Sequence, residues 1–476
     1  MKQLFATKDP LAVTSDAQKM DLNRALGPWG LTALGVGAVI GGGIFVITGQ
    51  AAAQHAGPAI MLSFVLAALC CTFCALAYAE FAAMVPVSGS AYTYTYATLG
   101  ELAAWFIGWM LILEYGVSAS AVAVSWTGYF LSLLDHFGIH LPAALVNAPL
   151  DAKLKPTGAI ANLPAAGIVL LLTWLCYVGI RKSAAMNTAM VTLKSGLIVL
   201  VIIAGWRYVD TSNWHPFIPE AQGPGKFGFD GVLRGAAMVF FAYIGFEAVS
   251  VAAQESRNPQ RDMPIGMLLS LAICTILYIG MSAVMTGLVP FTKLGTDEPV
   301  VTAVAAHPQL GWLRIVVEVG ALIGLSSVVL VMIIGQPRIF MIMARDGLLP
   351  PVFTRIHDKY KTPHINTVIT GIGIALLAAI FPLDILGDLT SMGTLIAFAA
   401  VCVGVLVLRR TRPELPRPFR IKGAWPICIA GVASCLVLLS TMTAHNWALM
   451  IGWTVIGLLI YFLYGYRNSK LARGGA

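Results

Sequence analysis

Apolar runs recur along the whole chain and alternate with short polar segments. Each run is about 20 residues long, which is the length a helix needs to cross roughly 30 Å of hydrocarbon. Twelve runs are visible, near residues 30–54, 58–82, 98–124, 163–180, 187–206, 231–252, 264–289, 314–341, 365–381, 386–408, 426–442 and 447–465. The pattern predicts an all-α integral membrane protein with 12 transmembrane helices.

Two of the predicted spans contain sequences that suit a continuous helix poorly. Gly41-Gly42-Gly43 interrupts span 1, and each glycine costs roughly 1 kcal/mol relative to alanine in a helix. The segment 240–247 interrupts span 6. A broken helix in lipid is tolerated where its freed backbone lines a cavity, and matching breaks in two halves of a chain predict a transporter's binding site. For the first break alone, close helix packing through Gly37 and Gly41 is the alternative.

The composition agrees with a membrane protein. Hydrophobic residues make up 58% of the 476 positions and charged residues only 11%, which is less than half of the usual charged share of about a quarter. The net charge of +8 invites a nucleic-acid interpretation. The distribution of the basic residues between loops argues against nucleic acid as a partner.

Basic residues concentrate on one side of the predicted spans. With a cytoplasmic amino terminus, 21 of the 30 Lys and Arg residues fall in cytoplasmic segments. The outer loops hold six, which are Lys153, Lys155, Arg207, Lys226, Lys293 and Arg314. This bias predicts a multi-pass protein of the cell inner membrane with both termini in the cytoplasm. Membrane lipid is an expected partner of the basic loop 409–422.

Two charged residues lie deep inside predicted spans. Lys194 in span 5 is either a proton-linked switch, because desolvation favours a neutral lysine, or a structural lysine that donates to freed carbonyls. Both interpretations place it beside span 1. Glu114 in span 3 either faces the cavity and meets a cationic group, or is protonated or bonded to a neighbouring helix.

No metal or cofactor site is expected. All eight cysteines lie in predicted spans, and Cys70, Cys71 and Cys74 share one helix without a nearby histidine, so they are expected to pack as small apolar groups. His136 and His140 have the spacing of a zinc pair but no third ligand. The chain also lacks hydrolase motifs such as HExxH, which argues against an enzyme.

Four motifs in order carry a family resemblance. They are Gly41-Gly42-Gly43-Ile44-Phe45, Pro86-Val87-Ser88-Gly89-Ser90-Ala91-Tyr92, Phe240-Phe241-Ala242-Tyr243-Ile244-Gly245-Phe246-Glu247 and Arg345-Asp346-Gly347-Leu348-Leu349-Pro350. From about residue 22 to 465, the chain resembles the cationic amino acid transporter family of the APC superfamily in its bacterial form.

The resemblance implies a LeuT-like fold with a 5+5 inverted repeat, two further helices, and discontinuous helices 1 and 6. The expected units are a cytoplasmic arm (1–28), a first repeat (29–208), a second repeat (209–410), spans 11 and 12 with their basic loop (411–466), and a cytoplasmic tail (467–476).

The resemblance also implies a site. The substrate carboxylate would meet the backbone at Ile40, Gly42 and Gly43, and its ammonium the backbone at Phe241, Ala242 and Ile244, with Phe241 as a gate. Lys194 corresponds to a lysine that replaces a sodium ion, which favours proton coupling. Glu114 and Met332 would line the side-chain pocket, and Gly41, Tyr243, Gly245 and Glu247 would support the breaks.

Two positions depart from the family pattern. Position 42 is glycine, where close relatives often carry threonine or serine, so one hydroxyl contact to the substrate is missing. Met332 replaces a small residue of members that carry arginine and lysine, and a bulky side chain there shortens the pocket. The departure at Met332 favours small or medium neutral amino acids over cationic ones.

The predicted function is a secondary active transporter, a proton-coupled L-amino acid symporter that works by alternating access. Protons are the expected coupling ion, an L-amino acid is the expected substrate, and a small single-span membrane partner is left open. An amino acid exchanger with the same site and a non-transporting amino acid sensor remain the alternatives.

Overall fold

The computed structural model describes residues 2–9, 26–85, 90–179, 184–253, 256–360 and 362–473. These ranges contain helices and isolated bridges but no strand. The helices of seven or more residues are α1 (Pro28–Val39), α2 (Ile60–Met84), α3 (Ser90–Thr98), α4 (Glu101–His136), α5 (Leu163–Val178), α6 (Ala184–Trp206), α7 (Gly228–Val239), α8 (Pro259–Leu288), α9 (Pro299–Ala305), α10 (Gly311–Arg345), α11 (His364–Ile380), α12 (Leu383–Thr411), α13 (Ala424–Ser440) and α14 (Ala444–Ile460).

The helices account for the apolar runs of the sequence. Within the described ranges, eight helical stretches are long and apolar enough to cross a membrane, and α1, α5, α11 and α13 are shorter apolar helices. Each of the 12 predicted spans overlaps one of these helices. The all-helical membrane class is therefore confirmed, whereas the count of 12 crossings stays a prediction.

Two local features differ from the sequence-based boundaries. The helix α4 has 36 residues and continues to His136, well beyond the predicted end of span 3. Hydroxyl residues lower the hydropathy of this outer part, but their side chains find partners in the protein. Ser125 donates to the carbonyl oxygen of Ala121 in the same helix (3.0 Å), and Ser132 donates to Glu318 of α10 (2.6 Å). The segment between the predicted spans 2 and 3 is helical from Ser90 onward, and residues 86–89 lie outside the described part.

The long helices pack in two groups. One group joins α1, α2, α7 and α8, in which α8 packs on α1 and α2 and α7 packs on α2. The other joins α4, α5, α10 and α11. The helix α6 contacts α1, α8 and α10 and so connects the two groups, and α12 packs on α4, α2 and α13. Both predicted helix breaks therefore belong to one group.

A buried carboxylate joins three parts of the chain at one end of the bundle. Glu101, the first residue of α4, is fully buried. It accepts hydrogen bonds from Gln3 (3.2 Å), from the hydroxyls of Tyr96 and Tyr461 (both 2.9 Å), and from Ser469. The segment 2–9, the helix α3 and the carboxyl-terminal segment are thus held together by one acceptor group.

We expect Glu101→Gln to lower the free energy of unfolding by about 1–3 kcal/mol, because an amide nitrogen cannot accept from the buried donors that face the carboxylate. Thermal unfolding of the purified protein in detergent measures the change. Glu414→Gln is the control. Glu414 is exposed and lies 3.8 Å from Arg412, and an exposed ion pair at this distance contributes little to the free energy of unfolding. Equal melting temperatures for the two variants would contradict the assignment.

Candidate functional site

The first predicted span is interrupted at the glycine-rich segment. The helix α1 ends at Val39, and Ile40 has an extended backbone (φ −71°, ψ 103°). Helical structure resumes as a π-helix over Gly43–Ile47 and continues through Thr48–Ala51. The second half of this span therefore begins with a new amino-terminal end inside the protein.

The sixth predicted span is interrupted in the same manner. The helix α7 ends at Val239, a 3₁₀ turn covers Phe240–Tyr243, and Ile244 is extended (φ −62°, ψ 130°). Gly245 has φ +121°, a conformation that favours glycine because other residues carry a Cβ atom. A short helical segment, Ala248–Val251, follows.

The backbones of the two breaks touch each other. A Cβ atom added to Gly43 would lie 2.3 Å from the Cα atom of Ala242, and one added to Gly245 would lie 2.8 Å from the carbonyl carbon of Ala38. Such distances are impossible for real atoms, so only glycine fits at both positions. The absent side chains are what allow the two helices to approach this closely.

The first break presents backbone N–H groups at the beginning of a half-helix. Outside their own helix, the N–H groups of Gly41, Gly42 and Gly43 donate no hydrogen bond to any described residue. The amino-terminal end of a helix also carries a partial positive charge. This arrangement is suited to an anionic group such as a carboxylate.

Two side chains from neighbouring helices bind the carbonyls that the breaks set free. Lys194 of α6 donates through Nζ to the carbonyl oxygens of Gly37 (2.8 Å) and Ile40 (3.2 Å). The hydroxyl of Tyr278, on α8, lies 3.0 Å from the carbonyl oxygen of Val39 and 2.9 Å from that of Ala242. Lys194 thus lies beside the first break, and Tyr278 lies between the two.

Tyr278 is a site residue that the sequence patterns did not identify. Its only local signal is a polar hydroxyl in the middle of an apolar span, where a buried tyrosine needs a partner. That signal says nothing about which helix supplies the partner. The structure shows that one hydroxyl serves a carbonyl from each broken helix.

Glu114 and Glu247 meet each other. Both side chains are buried, and their carboxyl groups lie close enough to influence each other electrostatically. Glu247 accepts from the N–H of Gly245 (2.9 Å). Within the described ranges, Oε1 of Glu114 has no hydrogen-bond partner. Glu114 therefore has a carboxyl neighbour on span 6 in this structure.

Met332 is buried on α10, on the side of that helix that faces the first break. Val328 lies one turn earlier and would contact a Cβ atom on Gly41 at 3.4 Å. Residues four apart share a helix face. Phe241 is also buried. The hydroxyl of the nearby Tyr243 donates to the backbone carbonyl oxygen of Phe64 (3.1 Å).

Two ion pairs connect helices near the breaks to more distant parts of the chain. Arg234, in the helix that precedes the second break, pairs with Asp388 of α12, which also accepts from Asn446 (2.5 Å). At the other end, Asp346 pairs with Lys8 (2.5 Å) and accepts from the hydroxyl of Tyr92 (2.7 Å). The first pair connects α7 to α12, which lies outside the packing group of α7. The second pair connects the end of α10 to the amino-terminal segment.

Acidic residues line a cavity of about 430 Å³ between α4 and α9. Burial, with a further contribution from the charge of Asp297, raises the pKa of Glu298 to about 7. Burial also raises the pKa of Asp297. Arg314 at the same cavity pairs with Glu318 (2.9 Å).

Three buried thiols could contribute metal ligands by position alone. The sulfur of Cys435 lies 3.7 Å from those of Cys70 and Cys74. These are contact distances between packed thiols, and all three residues are buried among apolar helices. His140, the histidine with zinc-like spacing, is exposed and pairs with Asp135 (3.2 Å).

Comparison with known proteins gives a family. The sequence model described as "Amino acid permease" matches residues 26–464. The chain is 47% identical to "Branched-chain amino acid permease BcaP" of Bacillus subtilis (strain 168), over 98% of this chain and 97% of that protein. It is 44% identical to "Methylthioribose transporter" of the same organism, over 99% and 100%.

A more distant relative is "Cationic amino acid transporter 3, mitochondrial" of Arabidopsis thaliana, which is 37% identical over 82% of this chain and 63% of that protein. All three relatives are named as permeases or transporters and none as an enzyme. The chain is therefore a multi-pass membrane transport protein that belongs to the amino acid permease family of the APC superfamily.

Proposed function

We propose that this protein is a proton-coupled symporter that imports L-amino acids with small or medium neutral side chains across the cell inner membrane, with both termini in the cytoplasm. The observation that carries the proposal is the pair of helix breaks in backbone contact, one of which presents unpaired N–H groups. Paired half-helices of this kind form substrate sites in transporters.

The backbone of the breaks suits the two charged ends of an amino acid. The carboxylate would bind the amides at Ile40, Gly42 and Gly43, and the ammonium would bind carbonyls of the 3₁₀ turn 240–243 and of Ile244. Tyr278 already uses the carbonyl of Ala242. A carbonyl oxygen accepts two hydrogen bonds, so that group keeps one free position for the ammonium.

The side-chain end of the site favours a neutral substrate. Val328 of α10 lies next to Gly41 of the first break. Met332 is one helical turn later and lies on the same face of α10. The carboxyl group of Glu114 lies near that of Glu247, so a cationic side chain is not the only group that it can face. The name of the branched-chain permease agrees with a neutral aliphatic substrate.

The packing of the helices supports alternating access. The group α1, α2, α7 and α8 and the group α4, α5, α10 and α11 correspond to spans 1, 2, 6 and 7 and spans 3, 4, 8 and 9, as two inverted five-helix repeats would place them. In this scheme the first group moves against the second. The Arg234–Asp388 and Lys8–Asp346 pairs would open alternately as outer and inner gates.

Two groups are placed to carry the coupling proton. Lys194 holds the carbonyls of Gly37 and Ile40, and loss of its proton would remove the charge that stabilises them. The neighbouring carboxyl groups of Glu114 and Glu247 are the other candidate, because a proton bound to one of them would relieve their mutual repulsion. We assign the coupling to Lys194, because it is the one of these two candidates that donates hydrogen bonds to the backbone of the first break.

A second candidate substrate follows from the methylthioribose transporter. Methylthioribose has a thioether tail but neither a carboxylate nor an ammonium group. It would leave the amides of Gly42 and Gly43 without a charged partner. The exchanger and the sensor described above use the same site as the symporter and differ from it only in net flux.

Uptake into proteoliposomes tests the proposal. With an inward proton gradient, we expect accumulation of labelled leucine, valine and alanine above the level without a gradient, and poor uptake of arginine because of Met332. Equal uptake with and without the gradient, together with counterflow, would favour the exchanger. Saturable binding without accumulation would favour the sensor, and preferred uptake of methylthioribose would replace the substrate.

The role of Lys194 predicts a distinct pH profile. Lys194→Ala should lose stimulation of uptake by an inward proton gradient while it retains substrate binding measured by thermal shift. Glu247→Gln is the comparison variant, since it removes a charge near the second break and leaves Lys194 in place. If Lys194→Ala keeps the wild-type pH dependence and Glu247→Gln loses it, the carboxyl pair carries the proton.

The glycines of the first break allow a matched comparison. Gly43→Ala should abolish uptake and binding, because its Cβ atom would collide with the backbone of Ala242 at 2.3 Å. Gly41→Ala should retain most of the activity, because its Cβ atom would meet Val328 at an ordinary 3.4 Å. Radiolabelled leucine uptake and a thermal melt separate loss of binding from loss of fold. Equal activity of both variants would contradict the close approach.

A further inference from the structure

A groove of about 460 Å³ lies on the surface between the first turns of α8 and the loop that precedes α13. Its lining combines polar groups at one end with apolar groups at the other. The lining includes Asn258, Arg261, Pro264, Ile265, Leu268 and Phe419. Neither the proposed substrate site nor the proposed gates include any of these residues.

The groove opens toward the lipid-facing side of α8. Ile265 (37% exposed), Ala272 and Ile276 (71% exposed) recur at helical spacing and form one outward stripe. Exposed isoleucines on a membrane-spanning helix contact hydrocarbon. Arg261 lies one turn before Ile265 on the same side of the helix, so its side chain stands where the apolar stripe ends.

Three arginines near this position form no ion pair within the described part of the chain. Arg257, Arg261 and Arg420 are exposed, and none of them forms an ion pair with any residue in the described ranges. The nearest acid in sequence, Asp262, is buried and accepts from the N–H of Asn258 (3.3 Å). The guanidinium groups therefore face outward without compensation.

We infer that this groove binds one anionic glycerophospholipid. The phosphate would sit at Arg261, whose planar guanidinium binds phosphate oxygens in pairs, with Asn258 as a further donor. The acyl chain would lie along Ile265, Leu268 and Phe419. A soluble phosphate would contact only the polar end of the groove and would leave the apolar end empty. A zwitterionic lipid would bring its own cation close to the arginines, and the repulsion would weaken its binding. The inference does not depend on the transported substrate.

Native mass spectrometry of the delipidated full-length protein tests the site. The probes are dioleoylphosphatidylglycerol, dioleoylphosphatidylcholine and glycerol 1-phosphate. We expect the first phosphatidylglycerol to bind more tightly than phosphatidylcholine, and Arg261→Gln to weaken its binding about fivefold, as expected for one basic residue at an anionic lipid. Arg355→Gln, which removes an exposed arginine of another loop, should bind like the wild type.

A second variant tests the apolar end separately. Phe419→Ser keeps every charge, and it should weaken phosphatidylglycerol binding by removing an acyl contact. Equal binding of the two lipids, an equal loss in Arg261→Gln and Arg355→Gln, or an unchanged affinity in Phe419→Ser would each overturn the inference. Displacement of the lipid by an equal concentration of glycerol 1-phosphate would instead identify a soluble-phosphate site.

Discussion

The structure depends on one constraint, namely that backbone groups freed inside a membrane must find partners within the protein. Two helices are broken at the same place, and the chain satisfies their carbonyls with side chains from other helices. Lys194 and Tyr278 bind three carbonyls of span 1 and one of span 6. Among the described residues, the N–H groups of Gly42 and Gly43 donate no hydrogen bond outside their own helix. In the proposed function, these donors bind the substrate carboxylate.

This constraint also explains which helices surround the breaks. The partners come from α6 and α8, which pack against α1 and hold the broken spans from one side. The helices α4 and α10 close the other side and contribute Glu114 and Met332. In the proposed motion, the broken helices move against α4 and α10 together with α8, so the hydrogen bonds from Tyr278 of α8 are kept. The helix α6 contacts both groups, so the hydrogen bonds from Lys194 are the ones that the motion can change. Lys194 thus lies at the boundary across which the proposed motion occurs.

The sequence predicts the breaks well and their partners poorly. Consecutive glycines and an isolated lysine in an apolar run are local signals, and they correctly located the interruption near Gly41 and the lysine beside it. The Glu114–Glu247 contact and the role of Tyr278 depend on how distant helices pack, and no local pattern encodes that. The length of α4 was underestimated because the hydroxyl residues of its outer part find partners within the helix or on α10. The roles of the site residues in binding and coupling remain predictions.

The contact between Gly43 and Ala242 has a mechanical consequence. Most helix pairs interlock through side chains that fill opposing grooves, so a change of angle forces those side chains into new rotamers. Here one half of the joint is bare backbone and the other carries a single methyl group. These two surfaces therefore have no large side chains that interlock. The two half-helices can pivot about this point without repacking, and resistance to their rotation comes from the hydrogen bonds around the joint.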